Sequence, residues 1–314
     1  MKRLAKLALF TMALIYVAAC SDTSKPAEPD AAGPDCVSNG GADCFALPTA
    51  GVKDKDGAAP DFSCGTVAIE TGTAEIALSG TIEDFQSGDP VDDVLLEAFT
   101  AFDFGDVFAS VTSDTNGNFA VSLPVGAKSR MHFRTSKPEA ALDTYALNIN
   151  IDTSAATITN FNRGSVSILT ANALPAFIGV TRSAGLGVVA GVANDCAGKT
   201  LENVIATVSS SSSVGNVAPT FLPGPQVYYF SNGSTQLPVR RTTRNVSNPN
   251  GLFVLIEMPP TAPGQTVFLQ VWGFLTDADA AQGMAGLKLL GELETPVVGD
   301  AVISVDMAAN QGPQ

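Results

Sequence analysis

"VFASVTSDTNGNFAVSLPVG", residues 107–126, carries the strongest local structural signal in the chain. Alternating apolar residues flank Asn116 and Gly117, a pair that accepts the positive φ angles of a type I′ turn. Phe119, Val121 and Leu123 then fall on one face, because side chains alternate with a period of two along a strand. The stretch predicts a β-hairpin with one buried face.

Further runs of the same kind surround this hairpin. They are rich in β-branched and aromatic residues and are bounded by Gly, Pro, Asp and Ser, which is typical of strands joined by turns. The runs are AEIALSGTIED (74–84), VDDVLLEAF (91–99), SRMHFRTS (129–136) and TYALNINID (144–152). The composition therefore predicts an all-β chain.

The order of landmarks recurs in the second half of the sequence. A glycine in a first strand, an aspartate four residues later, a valine in a second strand and a Gly-x-Phe turn appear twice. They are Gly80, Asp84, Val94, Gly117 and Phe119 in the first copy, and Gly191, Asp195, Val204, Gly251 and Phe253 in the second. In each copy the strand that follows this turn ends in a proline followed by a glycine. Ordered matches of this kind indicate an internal duplication.

These landmarks resemble the carboxypeptidase regulatory-like domain, a transthyretin-like sandwich. The resemblance covers roughly residues 66–152 and 185–309. It implies two tandem seven-stranded Greek-key β-sandwiches of the transthyretin (prealbumin) type, after a disordered N-terminal tether. Residues 153–184 would then be an interdomain linker with a short helix, because Val166, Leu169, Ala173 and Leu174 recur at helical spacing. Residues 310–314 form a tail.

Residues 1–19 have the layout of a secretory signal peptide. Three basic residues precede an apolar run that ends at Ala19 and is shorter than the roughly twenty residues of a spanning helix. The sequence VAAC (17–20) is similar to the lipobox of bacterial lipoproteins, which implies a mature chain that is lipidated at Cys20. Ser21 after this cysteine implies the outer membrane. We therefore expect a bacterial cell-envelope protein, anchored in a membrane through Cys20.

Residues 20–65 are rich in Pro, Ala, Asp and Gly, a composition that predicts a flexible tether. Without Cys20, four cysteines remain, an even number that suggests disulfides in an exported chain: Cys36, Cys44, Cys64 and Cys196. Four cysteines allow three pairings. Proximity favours Cys36 with Cys44, which leaves Cys64 with Cys196. The spacing in CVSNGGADC is too wide for a zinc knuckle.

Charge and histidine content argue against several function classes. A formal net charge of -14 disfavours nucleic acid as a partner. A zinc carboxypeptidase site needs two histidines, and the chain has only His132, which strand alternation places on a solvent-facing side with Arg130 and Arg134. In SDTNGN the twelfth position from Asp114 is a valine instead of the glutamate of a calcium loop. We expect no metal, no cofactor and no enzymatic activity.

The two copies differ in one place. Val94 and Gly117 are 23 residues apart, whereas Val204 and Gly251 are 47 apart, so the second copy carries an insertion at about 209–242. Long connections inside a compact domain are usually functional or disordered. Aromatic faces with arginine forks suit a sugar or peptide ligand. The candidate ligand-binding residues are Phe221, Tyr228, Tyr229, Arg240, Arg241 and Trp272. The alternative is that VYYF is an added strand and Trp272 a core residue.

Two functions follow as expectations. The first is a non-catalytic, lipid-anchored envelope protein whose sandwiches serve as a spacer or protein-interaction module. The second is a carbohydrate or cell-wall binding lipoprotein that uses the insertion. The partner would be an envelope protein in the first case and a polysaccharide in the second.

Overall fold

The computed structural model describes residues 36–38, 44–64, 68–215, 226–233, 236–240 and 243–308. Within them the chain is all-β, as predicted. The predicted signal peptide, Cys20 and the tail lie outside the described residues. Side chains of 36–38 and 44–46 also lie outside them.

The strands fall into three groups. The N-terminal segment contains β1 (Cys36–Ser38), β2 (Cys44–Ala46) and β3 (Lys53–Asp54). The first sandwich contains β4 (Ile76–Asp84), β5 (Leu95–Phe99), β6 (Ala109–Thr112), β7 (Asn118–Leu123), β8 (Arg130–Ser136), β9 (Ala141–Asn150), β10 (Thr157–Ile158) and β11 (Arg163–Ser167). The second contains β12 (Gly187–Asn194), β13 (Leu201–Glu202), β14 (Ile205–Ser209), β15 (Gln226–Phe230), β16 (Pro238–Val239), β17 (Leu252–Met258), β18 (Val267–Gly273), β19 (Lys288–Thr295) and β20 (Ala301–Ala308). Helix α1 (Ile168–Phe177) joins the sandwiches, and α2 (Asp277–Ala280) and a 3₁₀ turn (Gly283–Ala285) follow β18.

One long sheet runs through both sandwiches. Its strands lie in the order β6-β5-β8-β9-β20-β12-β17-β15-β16. The two halves meet where β9 and β20 run parallel, with Ala301 opposite Asp143 and Val305 opposite Leu147. The sandwiches are therefore joined edge to edge through backbone hydrogen bonds as well as through the chain.

Each face of the long sheet supports one core. On one face β14, β18 and β19 cover it, and Tyr145, Leu147, Val189 and Ile303 belong to this second core. On the opposite face β4, β7 and their neighbours cover β8 and β9, with Phe133 at the first core. Strand β9 thus contributes alternate residues to both cores.

The repeated landmarks take equivalent places in the strand pairing of both sandwiches. Gly80 pairs with Phe119 across β4 and β7, and Gly191 pairs with Phe253 across β12 and β17. A Cβ at Gly80 would lie 2.3 Å from the Phe161 carbonyl oxygen, and one at Gly191 would lie 2.6 Å from the Phe253 ring. Both strands therefore require glycine for close packing.

A buried serine in each copy was missed from the sequence. The Val94 N–H donates to Ser113 Oγ over 3.0 Å, and the Val204 N–H donates to Ser247 Oγ over 3.1 Å. Each serine hydroxyl in turn donates to a backbone carbonyl, that of Val91 or of Leu201. In both copies the serine lies four residues before the glycine of the Gly-x-Phe turn. This repeated spacing could have identified the serines from the sequence.

The predicted hairpin at 107–126 is wrong in one respect. Strand β6 pairs with β5, whereas β7 pairs with β4, so the turn crosses between the two layers. Of its two central residues only Gly117 has a positive φ, at 75°. The Asp114 carboxylate accepts the N–H groups of Asn116 and Asn118, which closes the loop locally and lowers the pKa of Asp114. The predicted alternation holds, because Phe119 and Leu123 are buried.

The predicted linker at 153–184 contains structure of two kinds. Strands β10 and β11 complete the first sandwich, where β11 lies between β4 and β9. The predicted helix is present as α1, capped by the Ser167 hydroxyl. Its buried side includes Ala171 and Pro175, whereas Leu169 is 80 % exposed, so the predicted apolar face is rotated.

The predicted tether does not extend to residue 65. Residues 47–64, here called the strap, pack on the second sandwich, where β3 pairs with β13. The Val52 N–H donates to the Phe274 carbonyl, and Val52 is buried in the second core. The packing of the strap on the second sandwich could not be predicted from its polar composition, because the strap is held mainly by backbone and carboxylate hydrogen bonds.

The predicted bond between Cys64 and Cys196 is confirmed, and it fastens the end of the strap to the turn after β12. Strands β1 and β2 pair with Ser38 opposite Cys44. The bond between Cys36 and Cys44 stays a prediction, because those side chains lie outside the described residues.

Candidate functional site

Three predicted ligand-binding residues are core residues. Tyr228 is 1 % exposed and Tyr229 2 % exposed, on opposite faces of β15. Tyr229 Oη accepts the Ala206 N–H over 3.0 Å. Trp272 is buried and its Nε1 donates to Gln270 Oε1 over 3.2 Å. The prediction that these aromatic rings form a binding surface is wrong, because VYYF is an added strand between β17 and β16 and Trp272 is a core residue.

The other residues predicted to bind a ligand do not form a binding surface in the described part of the chain. Arg240 is exposed, and its guanidinium lies near Gly179 at the end of α1. Phe221 and Arg241 lie outside the described residues.

His132 is buried, which corrects the solvent-facing prediction. A register shift between Met131 and Phe133 interrupts the alternation of β8 against β9. The imidazole stacks on Phe102 with 4.3 Å between ring centroids, and its Nδ1 accepts the Asn148 N–H. Burial, with smaller contributions from Lys128 and Arg130, lowers the pKa of His132 from 6.5 to about 4. A neutral, enclosed imidazole of this kind is a packing element.

A cavity of about 340 Å³ lies where the two sandwiches meet. The layer formed by β4 and β7 covers β8 and β9 but stops short of β20 and β12. The part of the long sheet that this layer leaves uncovered forms the floor, with Ala146, Val188, Val254 and Val302. Ala171 and Pro175 of α1 close it from above. The volume is in the usual range for small-molecule sites.

Among the described residues that line this cavity, Arg163 is the cation. Arg163, the first residue of β11, lies with its guanidinium 3.9 Å from the centre of the Phe161 ring. Its Nε is buried and has no hydrogen-bond acceptor in the described part of the chain. Burial lowers the pKa of Arg163 to about 10. By contrast, Arg134 Nε donates to Glu97 over 2.7 Å.

The open side of the cavity is polar. Ser304 and Asp306 line it and are exposed. The Asp306 carboxylate accepts a hydrogen bond from the Asn194 side chain, and desolvation by the neighbouring protein atoms raises the pKa of Asp306 although the residue is exposed. Phe85, also exposed, forms part of the rim.

This cavity was not predicted from the sequence, because Arg163 falls in the predicted linker at 153–184. A usable signal was present in β12, where Val188, Ala190 and Val192 are apolar on the face opposite Val189 and Ala193. A strand that is apolar on both faces must be covered on both.

The described residues contain no cluster of three His, Cys, Asp or Glu side chains that could hold a metal ion. No helix in the described ranges is long and apolar enough to cross a bilayer.

Comparison with known proteins gives no family. No family model matches the chain, and no curated protein matches it. Among solved structures it is similar to the shaft pilin SpaA of Lactobacillus rhamnosus GG, with 12% identity over 75% of this chain and 97% of the pilin, at a TM-score of 0.20. It is also similar to a 9R-lipoxygenase from Cyanothece PCC8801, with 16% identity over 33% of this chain and 18% of that enzyme, at a TM-score of 0.21. At these values neither similarity transfers a function.

Proposed function

We propose that the chain is a non-catalytic, lipid-anchored envelope protein whose joined sandwiches act as a spacer or protein-interaction module. The observation that carries this proposal is the parallel pairing of β9 with β20. A backbone ladder between two sandwiches resists bending at the junction far better than a free linker does. Rigid separation of surfaces is what a spacer or docking module requires.

The strap supports the same proposal. It is bound to the second sandwich by the pairing of β3 with β13 and by the bond between Cys64 and Cys196. A lipid on Cys20 would therefore reach the folded body first at the second sandwich. The chain enters the first sandwich only after the strap. The first sandwich therefore lies further along the chain from the anchor, and it is the part that faces a partner in this proposal.

The chemistry of the described residues supports a non-catalytic role. The only histidine of the chain is buried against Phe102 and is engaged by the Asn148 backbone. The alternative function, carbohydrate binding through the insertion, loses its motivation, since Tyr228, Tyr229 and Trp272 are buried.

Crosslinking in intact cells tests the proposal. The full chain is compared with a Cys20→Ala variant, and the crosslinked partners are identified by mass spectrometry. Capture of one defined envelope protein only when Cys20 is intact is the expected result. Capture of polysaccharide by both forms, without a protein, would overturn it in favour of the carbohydrate alternative. Catalytic turnover of a peptide or glycoside substrate that persists through repurification would overturn the non-catalytic assignment.

A further inference from the structure

The cavity at the junction of the sandwiches combines an apolar floor with the cation of Arg163. Its walls come from both sandwiches and from α1, so it exists only because β9 and β20 pair. The lining is aliphatic along β12, β17 and β20, with Val188, Val254 and Val302. This shape and chemistry match an aliphatic chain.

Arg163 supplies the specificity. A guanidinium has five N–H donors in a planar fork and no acceptor, and its charge persists at neutral pH. The buried Nε of Arg163 has no acceptor among the described residues, and a buried donor left unpaired is destabilising. Buried polar groups of this kind usually have a hydrogen-bond partner in native structures. An anionic ligand oxygen would satisfy it.

We propose that this cavity binds a single-chain aliphatic carboxylate, with the carboxylate on Arg163 and the hydrocarbon chain along the floor of β20, β12 and β17. Asp306, the acidic residue on the wall, lies at the open side and is paired with Asn194. The head group is therefore directed to Arg163, and the repulsion from Asp306 favours an orientation with the carboxylate away from the open side. This proposal is independent of the lipid anchor, and either can fail alone.

Titration calorimetry with decanoate, at concentrations below its aggregation point, tests the proposal on the folded chain from residue 21 onward. Methyl decanoate, which has the same chain without the charge, is the matched ligand. Decanoate is expected to bind with 1:1 stoichiometry and the ester about tenfold more weakly or worse, because a charge-assisted hydrogen bond is lost.

Two variants test separately what the carboxylate and the hydrocarbon chain of the ligand contribute to binding. Arg163→Met keeps an unbranched side chain over Phe161 and removes the charge, so decanoate affinity should fall about tenfold or more while ester affinity stays unchanged. Ala190→Phe fills the cavity from β12 and should abolish binding of both ligands. Arg130→Gln, an arginine of β8 outside the cavity lining, is the control and should bind like the wild type.

Folding of each variant is checked by thermal unfolding. Arg163→Met should unfold at a temperature no lower than the wild type without ligand, because it removes an unpaired buried donor. Equal affinity for decanoate and its ester, decanoate binding unaffected by Arg163→Met, or no binding of either ligand would each overturn the proposal. If Ala190→Phe fails to fold, the comparison of the two ligands on the wild type and Arg163→Met still decides it.

Discussion

Lys199 Nζ lies 2.6 Å from Asp54 Oδ2, so a lysine of the second sandwich holds a buried carboxylate of the strap. The other Asp54 oxygen accepts the N–H groups of Asp56 and Ala58. The hydrogen bond from Lys199 lowers the pKa of Asp54, and the same contact raises the pKa of Lys199. The strap is thus attached by a charge pair as well as by a disulfide.

Replacing Lys199 with methionine should loosen the strap at neutral pH and lower Tm. Because the pKa of Asp54 is lower in the folded chain than its ordinary 3.8, the stabilisation is present above 3.8 and is lost as the pH falls through the folded value. The Tm difference between wild type and Lys199→Met should therefore shrink on acidification. Lys288→Met, at a lysine with no ion pair in the described residues, is the control. A Tm difference that is constant with pH would contradict this account.

Removing the disulfide should destabilise the chain through the unfolded state. Cys64 and Cys196 are 132 residues apart, and closing a loop of this size restricts the unfolded chain strongly. The double variant Cys64→Ala and Cys196→Ala should lose about 2–5 kcal/mol of unfolding free energy in urea denaturation. Hydrogen exchange should then speed up first in residues 47–64. Unchanged exchange in the strap would show that β3 and Lys199 hold it without the disulfide.

The two buried serines should respond alike to substitution. Ser113→Ala and Ser247→Ala each leave a buried N–H unpaired, at Val94 or Val204, and each should cost about 1–3 kcal/mol in urea unfolding. Ser110→Ala, at an exposed position of β6, should have little effect. A large cost at one serine and none at the other would mean that the duplicated geometry is not energetically equivalent.

The buried His132 should make the folding stability of the chain sensitive to acid. Its pKa is about 4 in the folded chain against 6.5 ordinarily, so between these values the unfolded state binds a proton that the native state excludes. Stability therefore rises with pH across that interval, by about 3 kcal/mol in all.

His132→Gln should remove most of this slope, because glutamine does not titrate and can still accept the Asn148 N–H. Urea unfolding at a series of pH values measures the slope. NMR titration of the imidazole, free of overlap since the chain has one histidine, measures the pKa directly. An imidazole that titrates near 6.5 would contradict the buried placement.

Local signals in the sequence predicted the repeated strands and turns well. Gly80 and Gly191 pair with Phe119 and Phe253 as the duplication implies, because close backbone packing demands glycine at a fixed place in the strand. The bond between Cys64 and Cys196 was one of three possible pairings, favoured because Cys36 and Cys44 are close in sequence, and the structure contains it.

Long-range pairing was not predictable from the same signals. The ladder between β9 and β20 joins segments about half the chain apart, and no local residue pattern specifies which edges meet. The register shift at His132 broke the alternation on which its solvent-facing placement depended. The cavity at Arg163 follows from both effects, since it needs the ladder for its floor and β11 for its cation.

The pairing of β9 with β20 has a consequence for the order in which the chain is completed. The N-terminal sandwich presents an unpaired strand edge until Ala301–Ala308 has been synthesised, and the strap waits for β13 in the same way. The first sandwich has a core of its own, but its edge at β9 stays open while the second sandwich is being made. A premature stop before residue 301 would therefore leave the backbone groups of Asp143–Leu147 without their partner strand, in addition to truncating the second sandwich.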